Sequence, residues 1–129
     1  MGGEVGGLRG RSTERPPILL KKFERIGFQK GLDAANRGDF ATALREWRPL
    51  AEQGDASAQN NLGFMYVYGK GVLQDYVRAH MWFNIAASSG GSKNSSKSRD
   101  NVAKKMTPSQ VEKAQKLARE CVRKRYKDC

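Results

Sequence analysis

The sequence predicts an all-α fold, a right-handed solenoid of about three helix-turn-helix hairpins. Three observations carry that expectation. Strand signals are absent, because no alternating run of β-branched and aromatic residues lasts beyond three or four positions. Glycine-led breaks divide the chain into short helical stretches. One stretch also recurs in register 36 residues further on.

The chain has 129 residues and a mass of 14.4 kDa, one domain's worth of core. Hydrophobic residues make up 38%, low for a compact globule, so disordered ends or an elongated shape are expected. The net charge of +11 is uneven. Residues 1–30 carry +4, residues 31–92 carry −1 and residues 93–129 carry +8. A near-neutral centre with basic flanks suits a packed, partner-binding middle and a cationic tail. No apolar run approaches the roughly 20 residues of a membrane span; the longest near the N-terminus is Ile18-Leu19-Leu20. The expectation is a soluble chain with no visible signal peptide.

The elements follow in order. Residues 1–22 read as a disordered basic segment, rich in Gly, Arg and Pro up to residue 17, with Ile18 to Glu24 as a lead-in. Helices are expected over 23–37, 39–53, 56–68, 75–89, 96–105 and 108–126. Gly38-Asp39 and Gly54-Asp55 each stop one helix and cap the next. Gly69-Lys70-Gly71 breaks the third boundary, with Asp75 as the following cap. Gly90-Gly91-Ser92 closes the fourth helix. Thr107-Pro108-Ser109-Gln110 is a strong helix start: Thr as cap, Pro first and Gln third. Short turns predict antiparallel neighbours.

The repeat is specific. Asp39-Phe40, Ala43, Trp47, Ala51 and Gly54 lie over Asp75-Tyr76, Ala79, Phe83, Ala87 and Gly90. The preceding helices match at an offset of 32, with Gly31 over Gly63; the difference is the inserted loop Gly69-Lys70-Gly71-Val72. A small residue lets two helices approach, and the aromatic four positions on fills the space beside it. A single hairpin cannot bury both faces, so hairpins must stack.

Ala58, Leu62-Gly63, Tyr66, Gly69-x-Gly71-Val72, Asp75-Tyr76, Ala79, Trp82-Phe83, Ala86-Ala87 and Gly90 together resemble a complete Sel-1-like repeat, a relative of the tetratricopeptide α-solenoids. The domain is then read as residues 23–129: a partial unit at 23–54, the full repeat at 55–90 and a capping helical pair at 95–127. The stretch from Met106 to Arg119 resembles the helix that follows such repeats in small bacterial proteins. The resemblance implies a protein–protein interaction or adaptor role with no inherited catalytic site. It also implies a periplasmic or secreted location as an alternative, since similar small proteins are often exported. Some relatives carry disulfides between the helices of each repeat; this chain lacks those cysteines.

Enzyme chemistry finds no support. His80 is the only histidine, and beside Ala79 it is expected at a surface or groove edge. No Ser-x-x-Lys, Gly-x-Ser-x-Gly or phosphate-loop pattern occurs. Asp39, Asp55 and Asp75 are absorbed as caps. No metal site or cofactor is expected, since Cys121 and Cys129 are the only cysteines and no Cys/His cluster exists. Eight residues on a continuous helix separate these two by about 12 Å, which favours unbridged thiols. A bridge would require the chain to leave the helix after about Tyr126.

Two binding surfaces remain. Asn60, Phe64, Val67 and Tyr68 share one side of the repeat's first helix, away from Leu62 and Tyr66. An apolar stripe with an amide suits a peptide segment lying in a concave groove, unless the last helix folds over it. Trp47, Tyr66, Trp82 and Phe83 are expected in the core. The last helix presents Lys113, Lys116, Arg119, Arg123 and Lys124 opposite its apolar half. That face is either a solvated cap or a surface for nucleic acid or another anionic partner. The expected function is therefore a non-enzymatic module holding a protein or peptide in the groove; the alternative is nucleic-acid or anionic-surface binding through the basic helix. Specific nucleic-acid recognition is not expected, because no aromatic platform accompanies the charge.

Overall fold

The computed structural model describes residues 18–91 and 93–129. Most of the expected disordered segment, residues 1–17, lies outside the described residues. Among those described, six helices and no strand occur: α1 Ile18–Asn36, α2 Phe40–Glu52, α3 Ala56–Tyr68, α4 Tyr76–Ser88, α5 Lys93–Ala103 and α6 Pro108–Arg123. The chain is an all-α helical-repeat solenoid. Two starts are earlier than expected, α1 by five residues and α5 by three, whereas α6 ends at Arg123, short of residue 126.

The caps read from the sequence are formed. Asp39, Asp55 and Asp75 each accept from the backbone N–H three residues on, at 3.2, 3.0 and 3.1 Å. Thr107 and Gln110 satisfy each other's backbone N–H groups at the start of α6, a closed capping box. Each cap fixes where a helix begins, and hence which residues face its neighbour.

The core is built at two equivalent helix crossings. At the first, Gly31 of α1 meets the ring of Trp47, whose Nε1 donates to the Phe28 carbonyl oxygen at 3.1 Å. At the second, Gly63 of α3 meets the ring of the fully buried Phe83. The residues aligned by the repeat thus occupy matching positions in space. Ala43 and Ala79 are fully buried, as is Ala58. Trp47, Trp82 and Phe83 are core, as expected. Buried Gln59 ties the second hairpin to the first by donating to the Ala51 carbonyl oxygen at 3.0 Å.

Helix α4 is the hub, packed against α3, α5 and α6. Contact with three neighbours covers all its sides, and Ala79, His80, Met81, Trp82, Phe83, Ile85 and Ala86 are all buried. The expectation of a surface or groove-edge His80 is therefore corrected. Helix α6 also departs from a simple pairing with α5, because it packs chiefly on α4. The reason is compositional. Helix α5 buries only Ser95 and Val102, so it offers no apolar seam. Leu117, Ala118 and Cys121 instead join the core shared by Trp47, Leu50, Ala51 and Trp82.

The tail overturns the expectation of free thiols. Cys121 and Cys129 are bridged, with Cα atoms 5.6 Å apart. Helix α6 stops early because Arg125 and Tyr126 take left-handed backbone angles. The Tyr126 N–H then donates to the Cys121 carbonyl oxygen and the Arg125 N–H to that of Val122. This is the hydrogen-bond pattern of a Schellman turn, with arginine where glycine usually stands. The turn lays Tyr126 beside Gly54, its hydroxyl 3.3 Å from Ser89 Oγ. Arg78 donates to the Cys129 carbonyl oxygen, which anchors the tail to α4.

Candidate functional site

With α6 committed to α4 and the core, the opposite face, formed by α1, α3 and α5, is left open. Three adjoining hollows mark it, and no residue of α6 lines any of them. The most apolar, about 310 Å³, is walled by Leu32, Ala35, Phe40, Trp47, Phe64, Met65 and Tyr68, with Asn61 and Lys70 as its polar residues. A second, about 140 Å³, shares Phe64 and Tyr68 and adds Val67, Phe83, Ser98, Asn101, Val102 and Lys105. A third, about 260 Å³, is polar and runs past Phe28, Ser57, Asn60, Asn61 and Ser95.

The four residues singled out on α3 are divided by their partners. Phe64 is 38% and Tyr68 66% exposed. Their rings stack nearly parallel, 6.4 Å apart, and Phe64 sets its edge against Phe83 at 4.9 Å. These two rings form a ridge between the apolar hollows. Val67 is half-buried and packs against the cluster of Ala79, Phe83 and Val102. Asn60 accepts from Ser95 Oγ at 3.0 Å, so its carbonyl oxygen already has a partner in α5.

Asn61 is the residue sequence reasoning missed. It lines both the apolar and the polar hollow, and its side chain makes no hydrogen bond among the described residues. The signal was present, since 61, 64 and 68 follow helical spacing as well as 60, 64 and 67 do. Leu32 and Phe40 were missed for a different reason: they come from the preceding hairpin. Only stacking brings them to α3.

Other chemistry is sparse. His80 is 3% exposed and its Nδ1 has no partner among the described residues. Burial pushes its pKa below the usual histidine value, and the nearby Arg99 guanidinium pushes the same way. It faces the interior and none of the three hollows. Among the described residues, no group of three or more His, Cys, Asp or Glu could hold a metal ion. No helix among them is long and apolar enough to cross a membrane. Lys113, Lys116, Arg119, Arg123 and Lys124 are all exposed on α6, away from the hollows.

Residues 56–91, which span α3, the Gly69–Gly71 loop and α4, match the Sel1 repeat. The chain carries a Sel1-like repeat. It also resembles the crystal structure of c5321, a protective antigen present in uropathogenic Escherichia coli strains that displays an SLR fold. The TM-score is 0.70 at 29% identity, over 80% of this chain and 24% of the other. The chain thus spans about a quarter of that protein's length. Comparison with curated proteins finds no match. Sel1 repeats generally mediate protein–protein interaction.

Proposed function

We propose that this chain is a non-enzymatic interaction module whose α1, α3 and α5 face holds a segment of a partner protein. The observation that carries this is the apolar hollow of about 310 Å³ that opens beside Asn61, an amide without a partner among the described residues. A folded surface leaves so apolar a concavity uncovered at a cost in solubility, and such a feature commonly marks a binding site. Asn61 is placed to pair with the backbone of an extended segment while the hollow takes one of its side chains. The Cys121–Cys129 bridge favours an oxidising compartment for this work, in line with a periplasmic or secreted location.

The exposed cations of α6 sustain a second reading, an anionic surface or nucleic acid held by Lys113, Lys116, Arg119, Arg123 and Lys124. The groove reading is preferred, because a capping helix must present a polar outside whatever the module binds.

Asn61→Ala with Tyr68→Ala separates binding from folding. Neither side chain is deeply buried and Asn61 gives up no internal hydrogen bond, so the loss of stability should stay under about 1 kcal/mol. Thermal melting checks that loss. Recovery of a cross-linked partner should disappear with the double variant. Undiminished recovery would place the binding elsewhere.

A further inference from the structure

We infer that the segment this face accepts carries a bulky apolar side chain flanked by carboxylates, the apolar group entering the hollow between α1, α2 and α3. The inference rests on the groove reading above and adds the chemistry of the occupant. The apolar side follows from the wall: Leu32, Phe40, Trp47, Phe64 and Met65 offer a hollow near the lower end of the range for ligand pockets. It suits one large side chain, Leu, Met, Phe or Trp, and not a drug-sized ligand.

The carboxylates follow from the rim. Lys70 sits at the mouth of the larger hollow, its ammonium 5.4 Å from the centre of the Phe40 ring. Lys105 sits at the mouth of the second. Each is exposed, and neither has a carboxylate partner among the described residues. Phe64 and Tyr68 are common to both hollows, so the two lysines rim hollows that share one aromatic ridge. No acidic side chain lines either hollow. Glu24 and Asp55 line a separate hollow where α3 begins, with Arg25, Phe28 and Ser57. The charged lining is therefore basic at the hollows that share the aromatic ridge and mixed in sign at the separate one.

That asymmetry argues against the chain's own N-terminal segment as occupant. Residues 1–17 carry Arg9, Arg11 and Arg15 against Glu4 and Glu14, and net positive charge would meet Lys70 and Lys105. A partner peptide with Asp or Glu beside its apolar anchor meets them favourably, and neighbouring low-dielectric walls strengthen the pairing.

The test is selection from a random displayed peptide library against the full chain, followed by titration of a selected peptide. Enriched peptides should carry a large apolar residue with Asp or Glu on either side. Their binding should be lost with Asn61→Ala and Tyr68→Ala. Lys70→Glu with Lys105→Glu should weaken a selected peptide by about tenfold or more. A peptide with its acids changed to Lys should then prefer the reversed protein. Peptides that need Asn61 and Tyr68 but are neutral or basic would overturn the acidic inference and leave the groove reading standing. Peptides indifferent to Asn61 and Tyr68, or no enrichment at all, would overturn both.

Discussion

Gly63→Ala should destabilise this protein, although alanine is the better helix former by about 1 kcal/mol. A Cβ at Gly63 would lie 2.5 Å from a ring carbon of Phe83, far inside contact distance. Phe83 is fully buried against Phe64, Ala79 and Val102, so its ring can yield only by shifting these neighbours. Separating the helices instead opens the packing around Ala79 and Val102. Overpacking of this kind costs typically 1–3 kcal/mol and can exceed the helix-propensity gain. The expected result is a net loss of about 1–2 kcal/mol in denaturant unfolding. Gly63→Ala with Phe83→Leu should recover part of that loss, because the smaller side chain vacates the clash. Gly31→Ala should act the same way and more strongly. Its Cβ would fall 2.1 Å from Trp47 Nε1, which is held by the Phe28 carbonyl oxygen. A gain in stability at either glycine would contradict the helix crossings described above.

Opening the Cys121–Cys129 bridge is the second change with a large expected effect. The two cysteines are eight residues apart, so the bridge closes a short loop. Loop-closure entropy assigns about 2.5 kcal/mol to a ring of that size. Native contacts add to it, because Tyr126 covers Gly54 and reaches Ser89, and Arg78 holds the Cys129 carbonyl oxygen. Cys121→Ser with Cys129→Ser should therefore lower unfolding stability by about 2–3 kcal/mol, and a reducing agent should do the same to the unaltered chain. The hollows on the α1, α3 and α5 face share no residue with the tail, so peptide affinity should hardly change. Equal stability of oxidised and reduced protein would show that the tail turn persists without the bridge.

Local signals were the most legible part of the sequence. Asp39, Asp55, Asp75 and the Thr107–Gln110 box depend on residues only three apart, and all four caps are formed. The repeat added a long-range statement, because matched glycines and aromatics imply matched crossings. The tail was hidden because arginine, not glycine, takes the left-handed position that ends α6. A sequence gives no warning of that conformation when the usual residue is missing. His80 was misplaced for want of tertiary information. Its burial depends on how many neighbours α4 has, and helical periodicity reports only one packed face.

The site was half legible for the same reason. Spacing on α3 put Phe64 and Tyr68 on the open face, where both are exposed. It could not show that Ser95 of α5 would engage Asn60 and leave Asn61 available. Nor could it supply Leu32 and Phe40, which complete the hollow from another hairpin.

A partner should be held on the α1, α3 and α5 face and not by the cations of α6. Salt-dependent titration tests it most directly. The protein and a variant with Lys113, Lys116, Arg119 and Arg123 changed to Gln are titrated with a captured partner, DNA and RNA at several salt concentrations. A polyanion on α6 would release counterions, giving a log–log slope of about −0.9 per phosphate contact, and the variant would flatten it by up to about four units. A groove-bound segment draws mainly on apolar burial and backbone pairing, with at most the two rim lysines responding to salt. The expected result is a shallow slope that the α6 variant leaves unchanged, and weak nucleic-acid binding that vanishes near physiological salt. Tight nucleic-acid binding that survives physiological salt and collapses in the α6 variant would contradict it.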